Sequence, residues 1–195
     1  MGKFRFIETA LQGLYIVEPQ VFGDERGYFM ETFNDEFAPY VTHADGTPCT
    51  YVQDNESCSQ RGVLRGLHMQ WKHPQGKLVR VIEGEVYDVA VDVRRGSPTF
   101  GQWVGVHLSE KNRRQLLVPE GFLHGFAVLS ETARFVYKCT RLYDPADEFG
   151  VMWNDPELSV QWPVAPDEIR LSAKDQVNHS FRELRERLQR EHAVE

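Results

Sequence analysis

Three stretches of the chain concentrate side chains able to do chemistry. They are VFGDERGYFMETF at 21–33, YVQDNESCSQRGVLRGLHMQWKHPQGKLVRV at 51–81, and LLVPEGFLHGFAVLSETARFVYKCTRLYDP at 116–145. Among their side chains are the imidazoles of His68 and His124, the ammonium of Lys77, the phenol of Tyr137, and several arginines. Imidazole titrates near neutral pH, which suits general acid–base work. Two histidines also raise the question of a metal. Each residue has a plainer reading as well. His68 could be a hydrogen-bonded sheet histidine, Lys77 a solvated lysine, and Tyr137 a sheet tyrosine with one polar end. Asp175 in LSAKDQ follows Ser172 by three residues and could merely cap a turn.

Positioning such groups falls to strands. Gly and Pro recur through the chain with short runs rich in Val, Phe, Tyr and Leu between them, punctuation that predicts many strands and few helices. In residues 78–94, Val86, Asp88, Ala90 and Asp92 share one face, and Tyr87, Val89, Val91 and Val93 the other. That period of two around Gly84 predicts a hairpin with one buried face. Residues 103–108, 114–119, 123–129 and 134–140 continue the series, which predicts an antiparallel sandwich or barrel. The tail differs. Ser180 followed by Glu183 fits a capping box, and Phe181, Leu184 and Leu188 fall at helical spacing, predicting a helix over about 181–192 that covers a sheet.

Pro119-Glu120-Gly121 followed by His124 resembles the second motif of the cupins, double-stranded β-helix (jelly-roll) proteins, many of which bind a metal through three histidines and a glutamate. Here the matching region reads His68-Met69-Gln70 and then Lys77. An amide is a poor ligand for borderline transition metals, and an ammonium beside a divalent ion is unfavourable. No metal is expected.

A closer resemblance covers about Val21 to Asp175. The three stretches above, with SPTFGQW and NDPEL…WP…LSAKDQ, resemble in order and spacing the dTDP-4-dehydrorhamnose 3,5-epimerase family. The resemblance implies an all-β, cupin-like jelly roll with a short C-terminal helix, forming one domain over 1–195. It implies a cofactor-independent isomerase that inverts C3 and C5 of a dTDP-linked 4-keto-6-deoxyhexose, in the synthesis of dTDP-rhamnose for surface polysaccharide. The alternative within enzymes is an epimerase that inverts one carbon of another such sugar. A metal-dependent cupin enzyme and a non-catalytic sugar-nucleotide binder are the competing classes. By position, His68 matches the catalytic base, Asp175 the acid paired with it, Lys77 the cation at the C4 oxygen, and Tyr137 the proton donor. Arg26 and Arg65 match phosphate-side positions, and His124, Glu148 and Lys174 further substrate contacts. Glu31, Gln53, Asp54 and Asn55 match positions that hold the nucleotide, in part across a dimer interface. Tyr143 matches the partner stacked on thymine, with Phe29 a second candidate. The family is homodimeric, with edge strands exchanged. Two departures stand out: Met69 where an aromatic residue is usual, and Leu123 where a small residue is common. On a strand both would point behind the site.

Composition is compatible with this. With 195 residues the chain is long enough to bury a core without disulfides or metals. A net charge of −7 argues against a general nucleic-acid surface. No apolar run reaches the roughly 18 residues that would span a bilayer. Lys3, Arg5 and Glu8 interrupt the N-terminal apolar stretch, so no signal peptide is expected and a cytoplasmic location is. Cys49, Cys58 and Cys139 lack paired spacing and read as reduced thiols.

Overall fold

The computed structural model describes residues 2–192. Its strands are β1 (Phe4–Glu8), β2 (Tyr15–Pro19), β3 (Val21–Asp24), β4 (Gly27–Met30), β5 (Gln53–Gln60), β6 (Leu64–Gln70), β7 (Lys77–Glu83), β8 (Glu85–Asp92), β9 (Trp103–Ser109), β10 (Gln115–Val118), β11 (Phe122–Val128), β12 (Thr132–Cys139) and β13 (Glu148–Gly150). One α-helix, α1 (Phe181–His192), closes the described chain. A six-stranded sheet runs β1-β2-β10-β7-β12-β5, and a five-stranded sheet runs β13-β6-β11-β8-β9. The β3–β4 hairpin stands apart from both. The paired strands are antiparallel, and the result is the cupin-like jelly roll that the resemblance implies. No described helix is long and apolar enough to cross a membrane.

Period-two patterning decides which side chains enter the sandwich. Val79 and Val81 on β7, Leu116 and Val118 on β10, and Phe135 on β12 meet Val86 and Ala90 on β8 and Phe122 and Phe126 on β11 in the central core. A fully buried Val, Leu or Phe contributes about 1.5–3 kcal/mol relative to exposure. A second cluster lies behind the five-stranded sheet, where Val89, Val91 and Leu123 pack under Phe181 and Leu184 of α1. The helix starts as its capping box predicts: the Ser180 amide donates to Glu183 Oε2 at 2.7 Å and the Glu183 amide to Ser180 Oγ at 3.2 Å.

The hairpin expected around Gly84 is not one. β7 and β8 belong to different sheets, and Gly84, at φ +77°, turns the corner between them. A Cβ there would run into the Thr132 carbonyl oxygen, so the tight corner requires glycine. The two faces of β8 are assigned correctly by alternation, but both are buried: one in the sandwich core, the other under the helix. Alternation identifies a strand and its faces; it does not identify the neighbouring strand.

Candidate active site

A cavity of about 320 Å³ opens at one end of the sandwich, between the two sheets. The six-stranded sheet supplies Asn55 from β5, Lys77 from β7, and Tyr137 and Cys139 from β12. The five-stranded sheet supplies Arg65 and His68 from β6, His124 from β11 and Glu148 from β13. Lys174 and Asp175 reach the same cavity from the segment before α1.

Arg65 and His68 are three residues apart and should face opposite ways on a regular strand. Both line the cavity because the β6–β11 register shifts between His124 and Phe126, where β6 carries an extra residue. Gly66 lies in that irregular segment at φ +130°, and a Cβ on it would come within 2.6 Å of the Gly125 Cα. The Gly66–Leu67 peptide is cis. Register then sets His68 directly opposite His124.

His68 Nε2 lies 2.5 Å from Asp175 Oδ1. Asp175 is buried, and its Oδ2 accepts from Ser172 Oγ at 2.9 Å while its own amide donates to Ser172 Oγ at 3.1 Å. The two carboxylate oxygens therefore serve different donors, so the local cap and the histidine partnership coexist. Burial pushes the Asp175 carboxyl up, but the hydrogen bond and charge of His68, with Ser172 and Lys174, outweigh it and leave it below its ordinary value. With Nε2 occupied, Nδ1 is the ring nitrogen left for a reacting group.

The Lys77 side chain forms no hydrogen bond or ion pair among the described residues. Burial pushes its ammonium down from the ordinary lysine value, and Cys139, Asp88 and Glu148 oppose that shift. The Tyr137 phenol is pushed up by burial, with Arg65 opposing. At the mouth, Glu148 pairs with Lys174 and accepts from Tyr143 OH at 2.5 Å. Its Oε1 is 3.6 Å from His68 Nε2. Burial raises the Glu148 carboxyl, but Lys174, Tyr143 and His68 hold it below the usual range. Tyr143 is pushed up to about 12, chiefly by its hydrogen bond to Glu148. Gln70 ties the rim together, donating to the His73 carbonyl at 2.7 Å and accepting from the Asp144 amide at 2.8 Å.

A cavity walled by a histidine–carboxylate pair, a half-buried ammonium with no ion pair among the described residues and a half-buried phenol is equipped to take protons from carbon and stabilise the charge that forms. The model of the dTDP-4-dehydrorhamnose 3,5-epimerase family matches residues 8–183. The chain belongs to that family. The epimerase of that name from Methanothermobacter thermautotrophicus is 53% identical over 176 residues, covering 90% of this chain and 93% of its own. The crystal structure of the enzyme of the same name from Elizabethkingia anophelis superposes with a TM-score of 0.86 at 48% identity, covering 93% of this chain and 98% of that one. The Legionella pneumophila epimerase, solved in complex with dTDP-4-keto-L-rhamnose, gives 0.84 at 50% identity, covering 91% of this chain and 92% of that one.

Seen as an epimerase fold, the chain gathers eleven of its fourteen expected site residues. Gln53 and Tyr143 join those already described as lining the cavity, and Gln53 Oε1 accepts from the Tyr143 amide at 2.8 Å. Arg26, Glu31 and Asp54 do not line it. Alternation along β5 turns Asp54 outward, where Lys138 Nζ binds its Oδ2 at 2.7 Å. Arg26 sits at the exposed turn of the β3–β4 hairpin, paired with Asp24 at 2.5 Å. Glu31 follows the same hairpin and binds Asn34 Nδ2 at 2.7 Å. Phe29 is 65% exposed on that hairpin and also stands off the cavity. Leu123 lies behind the site as expected; Met69 packs toward the same cluster yet also borders the cavity. Glu120, of the cupin-like motif, takes no part. Its carboxylate is buried against His43 Nδ1 at 2.9 Å and Thr140 Oγ1 at 3.1 Å. No group of three or more His, Cys, Asp or Glu among the described residues is arranged for a metal ion.

Sequence reasoning passed over Asp88. It is completely buried, and His124 Nε2 lies 2.9 and 3.1 Å from its two oxygens. A signal was present: a carboxylate on the β8 face shared with Val86 and Ala90 must have a partner.

Proposed function

We propose that the chain epimerises dTDP-4-dehydro-6-deoxy-D-glucose at C3 and C5 to give dTDP-4-dehydro-L-rhamnose, without a cofactor. The observation that carries this reading is the convergence of the His68–Asp175 pair, Lys77 and Tyr137 in one cavity. C3 and C5 both flank the C4 ketone, so each proton becomes removable when the carbanion delocalises onto that oxygen as an enolate. His68 takes the proton through Nδ1, and Asp175 stabilises the imidazolium. Lys77 faces the C4 oxygen and stabilises the enolate as charge develops. Tyr137, kept protonated by burial, returns a proton from the opposite sheet, which inverts the carbon. Arg65 meets the pyrophosphate, and Tyr143 stacks on thymine, a contact worth about 1–3 kcal/mol. His124, Glu148, Lys174, Gln53 and Asn55 complete the contacts.

Arg26, Glu31 and Asp54 act across a homodimer with exchanged strands. The β3–β4 arm, with Tyr28 58% and Phe29 65% exposed, presents an aromatic surface that a second copy would cover. The chain is one cupin-like domain over 1–195, of which Met1 and 193–195 lie outside the described residues, and it works in the cytoplasm.

Incubation with the 4-keto sugar nucleotide in heavy water, read by proton NMR, tests this. Deuterium should enter at both C3 and C5, and His68→Ala should abolish both. Uptake at one carbon alone would establish a single-site epimerase, and undiminished uptake in His68→Ala would remove the histidine from the base role.

A further inference from the structure

We propose that Asp88 is a second positioning carboxylate of the active site, fixing the tautomer and orientation of the His124 ring across from His68. This rests on the epimerase reading above.

Asp88 sits mid-strand on β8, on the side facing the sandwich interior, and is 0% exposed. His124 is its only hydrogen-bond partner among the described residues. A carboxylate buried in this way is costly unless a cation or several donors compensate it. Both of its oxygens lie within 3.1 Å of the same ring nitrogen, so Nε2 carries the proton and Nδ1 is the atom left to the cavity. The arrangement repeats that of the base, where Asp175 also holds Nε2. The two imidazoles sit at paired register positions on neighbouring strands, so each has its own carboxylate. The other polar group that Asp88 acts on is Lys77: its negative charge favours the ammonium against the desolvation that opposes it, as do Glu148 from β13 and Cys139 from β12. The Lys77 ammonium has no ion pair of its own among the described residues. Asp88 thus touches neither substrate nor solvent, yet it orients one group on the cavity wall and supports the charge of another.

The test is Asp88→Asn, which keeps the shape and removes the charge. Deuterium exchange from the 4-keto sugar nucleotide is followed from pH 6 to 10. The expected result is a kcat lower by about ten- to a hundredfold with KM changed less than about threefold. The alkaline limb should move to lower pH, because Lys77 loses a negative charge that favours its ammonium. Val106→Ala is the structural control: Val106 is the register partner of Asp88 on β9, and its loss should lower the melting temperature without moving the limb. A second measurement needs no variant. Nitrogen NMR of histidine-labelled protein should show Nε2 of His124 protonated throughout pH 5–9. An Nδ1–H tautomer there overturns the proposal, as does an Asp88→Asn enzyme with unchanged kcat and limb. Absence of exchange in the unaltered protein overturns the epimerase reading and the catalytic role together, while the tautomer measurement still reports on the Asp88–His124 contact alone.

Discussion

Replacing Asp175 by Asn isolates what the carboxylate does for His68. In the native site Asp175 Oδ1 takes His68 Nε2 at 2.5 Å, and Oδ2 takes the Ser172 hydroxyl at 2.9 Å. The Ser172 oxygen is already committed as acceptor of the Asp175 amide, so its hydroxyl proton points at Oδ2. An asparagine there would turn its carbonyl toward Ser172 and its NH₂ toward His68. The imidazole must then accept at Nε2 and carry its proton on Nδ1, where a base needs a lone pair. The same tautomer trap in serine proteases costs about 10⁴ in kcat, and general-base catalysis as a whole contributes about 10²–10⁴. The expected loss of exchange at C3 and C5 is therefore about 10³–10⁴, or roughly 4–5.5 kcal/mol of barrier. Binding of dTDP should change little, because the nucleotide contacts lie elsewhere. Ser172→Ala alone should cost less than about tenfold, the worth of one hydrogen bond. Added to Asp175→Asn it should restore part of the activity by freeing the amide to turn round, a coupling that a double-mutant cycle reads directly. An Asp175→Asn enzyme that exchanges faster than a tenth of the native rate would refute the tautomer argument.

Two further outcomes follow from the same geometry. Lys77→Met should reduce exchange about 10²–10³-fold. In the native enzyme, burial lowers the Lys77 value, so kcat should decline with rising pH earlier than an ordinary lysine would dictate. Its effect on stability has the opposite sign. Between the lowered folded value and the ordinary unfolded one, the unfolded chain binds more protons, so the Lys77 contribution to stability rises with pH; denaturant titrations across that window, native against Lys77→Met, check it. Gly66→Ala should destabilise by about 2–5 kcal/mol, since it adds strain at φ +130° to a Cβ 2.6 Å from the Gly125 Cα, and a native-like melting temperature would show that β6 can straighten.

Much of the site was legible because its chemistry sits in short segments with distinctive residue types. The strands were legible because alternation is a local property. β5 shows the strength and the limit of that rule. Its period of two separates Gln53 and Asn55 from Asp54, so the three adjacent residues cannot share one chain's cavity. β6 shows the rule failing. A register shift brings Arg65 and His68 onto one wall, and it coincides with a close backbone approach between Gly66 and Gly125, strands apart in the sequence. Asp88 was hidden for a related reason: its partner His124 lies 36 residues away, and one sequence shows the lone carboxylate without showing what answers it.

The division of the cavity between two sheets has a chemical consequence. His68 and His124, each held through Nε2 by a carboxylate, stand on the five-stranded wall, whereas Lys77 and Tyr137 stand on the six-stranded wall. A base and a donor on one strand face would return a proton to the side it left, and the carbon would keep its configuration. Inversion needs the two groups on opposite faces of the planar enolate, and a cavity lined by two facing sheets supplies two such faces. The corner at Gly84 matters for this reason: by sending β7 and β8 into different sheets, it places Lys77 on one wall and Asp88 on the other, close enough for the charge of Asp88 to favour the ammonium. Had the segment closed as the simple hairpin that its pattern suggests, both would have lain on a single sheet and the cavity would have lost one of its sides.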